Sequence, residues 1–243
     1  MSSCNVAETE PETAIVTETQ TATVTVTQTA TQTETAARNG ADETEHAILD
    51  AAAACVLAFG VRRTSLSDVA RRAGVSRPTV YRRWPDLRAL VADLMTRELA
   101  TVFAGASPAP GPPAPGPVRQ QAVSEFLAAA RDLRAHPLLT KIIQVDPELL
   151  QPYIFDRLGT SQRMALGFIA DRIRAGQRDG SVRPGDPTTM AATVLLCIQS
   201  LVLSARLTAG LVPPEQRDAE AALLLDRYLS PGGEPGTGDG GPA

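Results

Sequence analysis

From residue 44 onward, apolar side chains recur every three to four positions, the spacing of helices that bury one face. In "TEHAILDAAAACVLAFG" the residues Ile48, Ala52, Cys55 and Phe59 fall on one stripe, and Gly60 supplies the stop. "TSLSDVARRAG" then opens on Ser65 with Asp68 three residues on, a capping-box start, and has room for two turns before Gly74. After Val75 a second short helix is predicted over 77 to 83, with Ser76 as N-cap and Pro78 tolerated in its first turn. A longer helix begins after Asp86, with Leu87, Leu90, Val91, Leu94 and Val102 on its apolar face. Six more helical patterns follow, over 118 to 135, 137 to 145, 147 to 156, 160 to 177, 187 to 209 and 214 to 229. Gly176, Gly180, Gly185 and Gly210 punctuate them. No two segments read as a strand pair, so the fold class expected is all-α.

Three stretches break the pattern. Residues 1 to 42 alternate Thr with Ala, Val, Gln and Glu; the period of two is that of a strand, but the partners are too polar to bury, and a disordered tail is expected. Residues 105 to 117, "GASPAPGPPAPGP", carry six prolines and read as a semi-rigid linker. A Gly/Pro tail covers 231 to 243. The predicted organisation is therefore a domain at 43 to 104 and a second helical domain at 118 to 230. The most apolar run, "MAATVLLCIQSLVLSARL" at 190 to 207, is short for a bilayer and carries Gln199, Ser200 and Ser204, so a buried helix is expected there. With no basic-then-apolar leader at the N-terminus, the expected location is the cytoplasm, with no membrane partner.

Charge changes the picture. The chain has a net charge of −4, yet residues 62 to 88 hold eight arginines against two aspartates, a local net of +6. Three scattered cysteines and two histidines leave little with which to build a metal site or a histidine base, and no Gly-rich phosphate cradle is present. An enzyme thus lacks its constellation, and no cofactor is expected. The basic segment coincides with the two short helices, which together with the preceding helix have the form of a helix-turn-helix. Gly74 offers the left-handed turn, Ala70 and Ala73 permit close approach, and Val69, Val80 and Trp84 face inward. Arg77, Pro78, Thr79, Tyr81 and Arg82 are left outward, with arginines suited to guanine edges and hydroxyls to phosphates.

Residues 44 to 104 resemble the DNA-binding domain of the TetR (tetracycline-repressor-like) family, through "AILDAAAACVLAFG" and "TSLSDVARRAGVSRPTVYRRWPDLRALV". The resemblance implies that 77 to 83 is the recognition helix, with Arg77, Pro78 and Arg82 at base-contacting positions and Thr64, Thr79 and Tyr81 at phosphate-contacting ones. The two N-cap serines, Ser65 and Ser76, join that DNA-facing set. Where the family often has a phosphate-binding Lys at the start of the fourth helix, this chain has Leu87, which Arg83 or Arg88 is placed to replace.

The second region, through "AGQRDGSVRPGDPTTMAATVLLCIQSLV", is similar to the same family more loosely. The helix at 187 to 209 is apolar nearly all round, so one protomer covers only part of it, and a two-fold four-helix interface with 214 to 229 is expected. Leu195, Ile198, Val202, Ala222, Leu225 and Leu229 are the expected interface residues. The leading function is a homodimeric transcriptional regulator, a repressor of a palindromic operator in double-stranded DNA, released by a small molecule. The alternative is a DNA-binding protein without such a ligand, architectural or controlled by a protein partner. Residues 118 to 175 are rich in Leu, Ile, Ala and Phe, favouring an apolar or amphipathic ligand. His136, Gln144, Gln162 and Arg163 are its candidate polar contacts.

Overall fold

The computed structural model describes residues 42–106 and 116–232. The expectations for the Thr-rich tract, for most of the proline linker and for the tail from 233 fall outside these residues. Every regular element described is helical: α1 (42–59), α2 (Leu66–Ala73), α3 (Arg77–Arg83), α4 (Leu87–Ala106), α5 (Val118–Ala135), α6 (Pro137–Val145), α7 (Gln151–Phe155), α8 (Thr160–Arg178), α9 (Pro187–Leu203) and α10 (Pro214–Leu229).

Local chemistry sets most of these boundaries. Ser65 Oγ accepts the Asp68 N–H at 3.1 Å while the Ser65 N–H donates to Asp68 Oδ2 at 3.2 Å, closing the capping box of α2. Gly74 ends α2 with φ +68, a conformation that costs a side-chain-bearing residue about 1–2 kcal/mol. Ser76 caps α3 through the Thr79 N–H, and Asp86 Oδ1 accepts the Ala89 N–H at 2.8 Å at the head of α4. Asp186 does the same for α9, accepting the Thr189 N–H at 2.8 Å.

Three boundaries differ from expectation. The pattern over 147 to 156 splits into a single 3-10 turn, Pro147–Leu149, and the short α7. Asp146 has already left helical space at φ −135, ψ 49, and Pro152 has no N–H with which to continue a ladder. The run over 187 to 209 ends as an α-helix at Leu203 and continues as a 3-10 turn, Ala205–Thr208. Leu207 and Leu211 are both 82% exposed, so no burial holds the last turns in line. At the linker, α4 runs on through Gly105 and Ala106.

From Leu49 onward the chain forms one compact unit. Its N-terminal part buries Leu49, Ala52, Cys55 and Val56 of α1, Leu66, Val69 and Ala70 of α2, Val80 of α3, Trp84, and Leu90, Val91 and Leu94 of α4. Phe59, expected on the buried stripe of α1, is 53% exposed instead, because Val56 fills the inward position near the helix end. The second region is a bundle around α5, which packs on α4, α8, α9 and α10. Its core includes Phe126, Ile173, Val194, Leu225 and Leu229.

Most of the residues expected at an interface lie in or against this core. Leu195, Ile198, Val202, Leu225 and Leu229 are buried within their own protomer, and Ala222 packs on the margin of the same cluster. An all-round apolar helix has no polar face to show which side turns inward. On α9 and α10 the large apolar side chains left outward are Leu196, Leu223 and Leu224.

Gly60 makes the turn between α1 and α2 at φ +82, and a Cβ there would lie 3.1 Å from both Val145 Cγ1 and Asp146 Oδ2. Gly60→Ala should therefore lower stability by about 1–3 kcal/mol, from the left-handed backbone and the close contact together. Urea denaturation checks this; an unchanged midpoint would mean that the turn relaxes freely.

Candidate DNA-facing surface and ligand cavity

The surface begins with α3, whose single buried residue is Val80, leaving the rest of the helix for contact. Arg77, Pro78, Tyr81 and Arg82 are exposed and Thr79 is half-buried. Trp84, 1% exposed, closes the helix, and its indole N–H donates to Asp93 Oδ2 at 2.8 Å, tying the recognition segment to α4. The basic cluster divides in two. Arg62 is held by Glu148 at 2.7 Å, Arg71 by Asp68 at 2.8 Å, and Arg63 Nε donates to the Phe59 carbonyl at 2.9 Å. Arg77 and Arg82 form no ion pair among the described residues, so their guanidiniums are available to an outside anion.

Thr64 is engaged within the α1–α2 turn. It is 7% exposed, its hydroxyl donates to the Gly60 carbonyl at 2.8 Å and its N–H to the Val61 carbonyl at 3.0 Å. Both donors are engaged inside the α1–α2 turn, so the side chain helps to fix that turn. Ser65 and Ser76 are exposed but serve as caps: Ser65 Oγ donates to Asp68 Oδ2 at 2.6 Å, and Ser76 Oγ shares a 2.7 Å hydrogen bond with Thr79 Oγ1. The Ser65 hydrogen bond is the main reason the Asp68 carboxyl titrates below the usual range. Leu87 is half-buried at the start of α4; Arg83 is exposed, and Arg88 stands on the rim of a cavity.

That cavity, about 600 Å³, lies between α4, α5 and α6 on one side and α7, α8 and α9 on the other. Phe126 and Phe168 meet edge to face with centroids 6.0 Å apart, and Phe103 lies 6.4 Å from Phe168. Leu133, Leu139, Ile142, Ile198 and Val202 complete the apolar wall. Of the four polar contacts expected, Gln162 and Arg163 line the cavity. His136 instead faces Glu98 at 3.5 Å, and Gln144 is exposed on α6. Gln162 is already engaged: its amide nitrogen donates to Gln199 Oε1 and to the Tyr153 carbonyl, both at 2.8 Å, and its oxygen accepts the Gly159 N–H at 2.8 Å. The free donors of the amide pair belong to Gln199, which sequence reading placed only within a buried helix. The one signal for it was a polar residue inside an apolar run.

Among the described residues, no helix is long and apolar enough to cross a membrane.

A sequence profile described as bacterial regulatory proteins of the tetR family matches residues 48–94, the helix-turn-helix and its supporting helices. An uncharacterized HTH-type transcriptional regulator of Mycobacterium tuberculosis is 40% identical over 191 residues, which are 79% of this chain and 97% of that protein. Among solved structures, a TetR-family regulator from Rhodococcus sp. has a TM-score of 0.59 at 23% identity, over 78% of this chain and 100% of that one. SmeT in complex with triclosan has a TM-score of 0.54 at 21% identity, over 79% and 93% of the two chains. SmeT is the repressor of the Stenotrophomonas maltophilia multidrug efflux pump SmeDEF. The structural likenesses establish the shared fold; the mycobacterial relative, matched along nearly its whole length, carries the lineage. The relatives are regulators and not enzymes, and this chain belongs to the TetR family of DNA-binding transcriptional regulators.

Proposed function

We propose that the protein is a homodimeric repressor that binds a palindromic operator in double-stranded DNA and leaves it when an apolar or amphipathic small molecule fills the cavity. The observation that carries this reading is the double duty of α4. Its Leu90 and Leu94 are buried in the N-terminal core, while Met95, Thr96, Leu99 and Phe103 line the cavity. An occupant that shifts α4 shifts the support of the recognition helix as well. The cavity volume falls within the range of about 300–1,000 Å³ usual for small-molecule sites. Its wall suits a mostly apolar body with one group able to meet the amide of Gln199.

DNA contacts in this reading come from Arg77, Pro78, Thr79, Tyr81 and Arg82 on α3, with Arg83 or Arg88 taking the phosphate that Leu87 cannot hold. A second copy covers Leu196 of α9 and Leu223 and Leu224 of α10, which are 65%, 52% and 56% exposed. Exposed leucines on two helices that both pack on α5 are costly in water, and a second copy covering them would bury both sets at once.

The test selects bound fragments from the source genome, then screens a panel of apolar and amphipathic compounds for a rise in melting temperature. Compounds that raise it should dissociate the operator complex. The reading fails if stabilising compounds leave that complex intact, and the ligand-free alternative then stands.

A further inference from the structure

Asp146 is fully buried at the C-terminal end of α6, and its carboxylate reaches across to the α1–α2 turn. Oδ2 accepts the Val61 N–H at 2.7 Å and Oδ1 the Arg62 N–H at 3.3 Å, with Arg62 Nε 3.5 Å from Oδ1. The placement is electrostatically poor for stability alone. A carboxylate here sits beyond the C-terminal ends of both α1 and α6, where unsatisfied carbonyls already concentrate negative charge. A buried charge in such a position persists only because the two N–H groups and the guanidinium meet it.

The two sides of this contact lead to different places. On one side, Gly60 turns the chain so that the next two N–H groups face the carboxylate, and Thr64 locks the turn back onto Gly60. Ser65, the cap of α2, follows directly, so the position of Val61 is passed to the helix-turn-helix through a short, internally bonded segment. On the other side, the Leu149 N–H donates to the Asp146 carbonyl at 3.1 Å, and Glu148, Leu149 and Leu150 are cavity wall. Arg62 also grips Glu148 at 2.7 Å, so the wall and the turn are joined twice.

We infer that Asp146 is the positioning residue through which the state of the cavity wall is transmitted to the α1–α2 turn and so to the recognition helix. This rests on the ligand-responsive reading above and specifies how that site is regulated. An occupant pressing on 148–150 displaces the carboxylate, and the Val61 and Arg62 amides move with it. A merely structural anchor would lower stability when removed but would leave the cavity and the DNA surface independent of each other.

Coupling between two sites is reciprocal, so operator DNA itself serves as the probe, with no ligand required. The experiment measures hydrogen exchange of the full-length protein, free and bound to the operator duplex recovered by genomic selection. Formation of the complex is scored first and separately, so failure of the DNA reading shows as no complex. In the wild type, duplex binding should change exchange across residues 148–155 by at least about fivefold. In Asp146→Asn, which keeps the shape but loses the charge, the complex should still form while that response falls below about twofold. The inference is overturned by a wild-type complex with unchanged exchange at 148–155, or by an Asp146→Asn complex that keeps the full response. Arg62→Gln, altering a side chain that is 70% exposed, is the second variant should Asp146→Asn not fold. It should cut the response about twofold, and a full response there overturns the inference just as surely.

Discussion

Arg77→Ala should weaken operator binding by roughly 1–3 kcal/mol per half-site and relax base preference at one symmetric pair of positions. Arg77 is the first residue of α3, held there by the Ser76 cap, and is exposed with no ion pair among the described residues. A guanidinium in the first turn of a helix lying in the major groove can reach a guanine edge with two hydrogen bonds, so its loss is felt at that base pair. Tyr81 lies one turn on and is 51% exposed. Its hydroxyl suits a phosphate, and Tyr81→Phe should weaken all sequences about equally without changing the sequence logo. The salt dependence separates the contacts further. Tyr81→Phe removes no charge and should leave the slope of log affinity against log salt unaltered, whereas loss of a phosphate-bound arginine lowers the slope by about one. A randomised operator library measured at two salt concentrations reads all of these. Uniform loss with Arg77→Ala and an altered logo with Tyr81→Phe would reverse the two roles.

The parts of this molecule that could be read from its sequence are those decided within a few residues. Ser65 and Asp68 define the start of α2 because both halves of the capping box lie inside four positions, and Gly74 marks its end because only a left-handed residue fits there. The outward set on α3 follows from Val80 and Trp84 alone, both nearly inaccessible. What could not be read depends on partners far along the chain. Thr64 looked like a free hydroxyl until the turn folded it against Gly60. Which face of α9 meets α5 and α8 is a packing outcome, and five of the six leucine, isoleucine, valine and alanine positions expected at an interface went to the protomer's own core. Asp146, sitting before Pro147, has the look of a loop residue; its role depends on Val61 and Arg62, more than eighty residues earlier. Gln162 could be nominated for the cavity as a polar residue on an apolar helix, but its saturation by Gln199, Tyr153 and Gly159 is a tertiary fact.

The distinction between core and outward leucines on α10 leads to an expected result of equal size. Leu225 is 1% exposed, whereas Leu224 beside it is 56% exposed. Leu225→Glu removes a buried side chain, worth about 2–5 kcal/mol when truncated, and in addition places a carboxylate where no donor waits. That sum is comparable to the whole stability of a typical domain, about 5–15 kcal/mol, so the variant should lose its cooperative melting transition rather than yield a folded monomer. Leu196→Glu combined with Leu224→Glu touches only exposed positions and should keep a cooperative transition. If those residues face a second copy, the paired carboxylates repel across the axis and the protein sediments as a monomer. Each recognition helix then binds its half-site alone, and operator affinity should fall by about 100-fold or more, as the second contact ceases to be intramolecular. Sedimentation velocity and thermal melting on the same samples decide the matter. A double variant that remains dimeric would show that the second copy docks elsewhere. A Leu225→Glu protein that melts cooperatively as a monomer would return that residue to the interface.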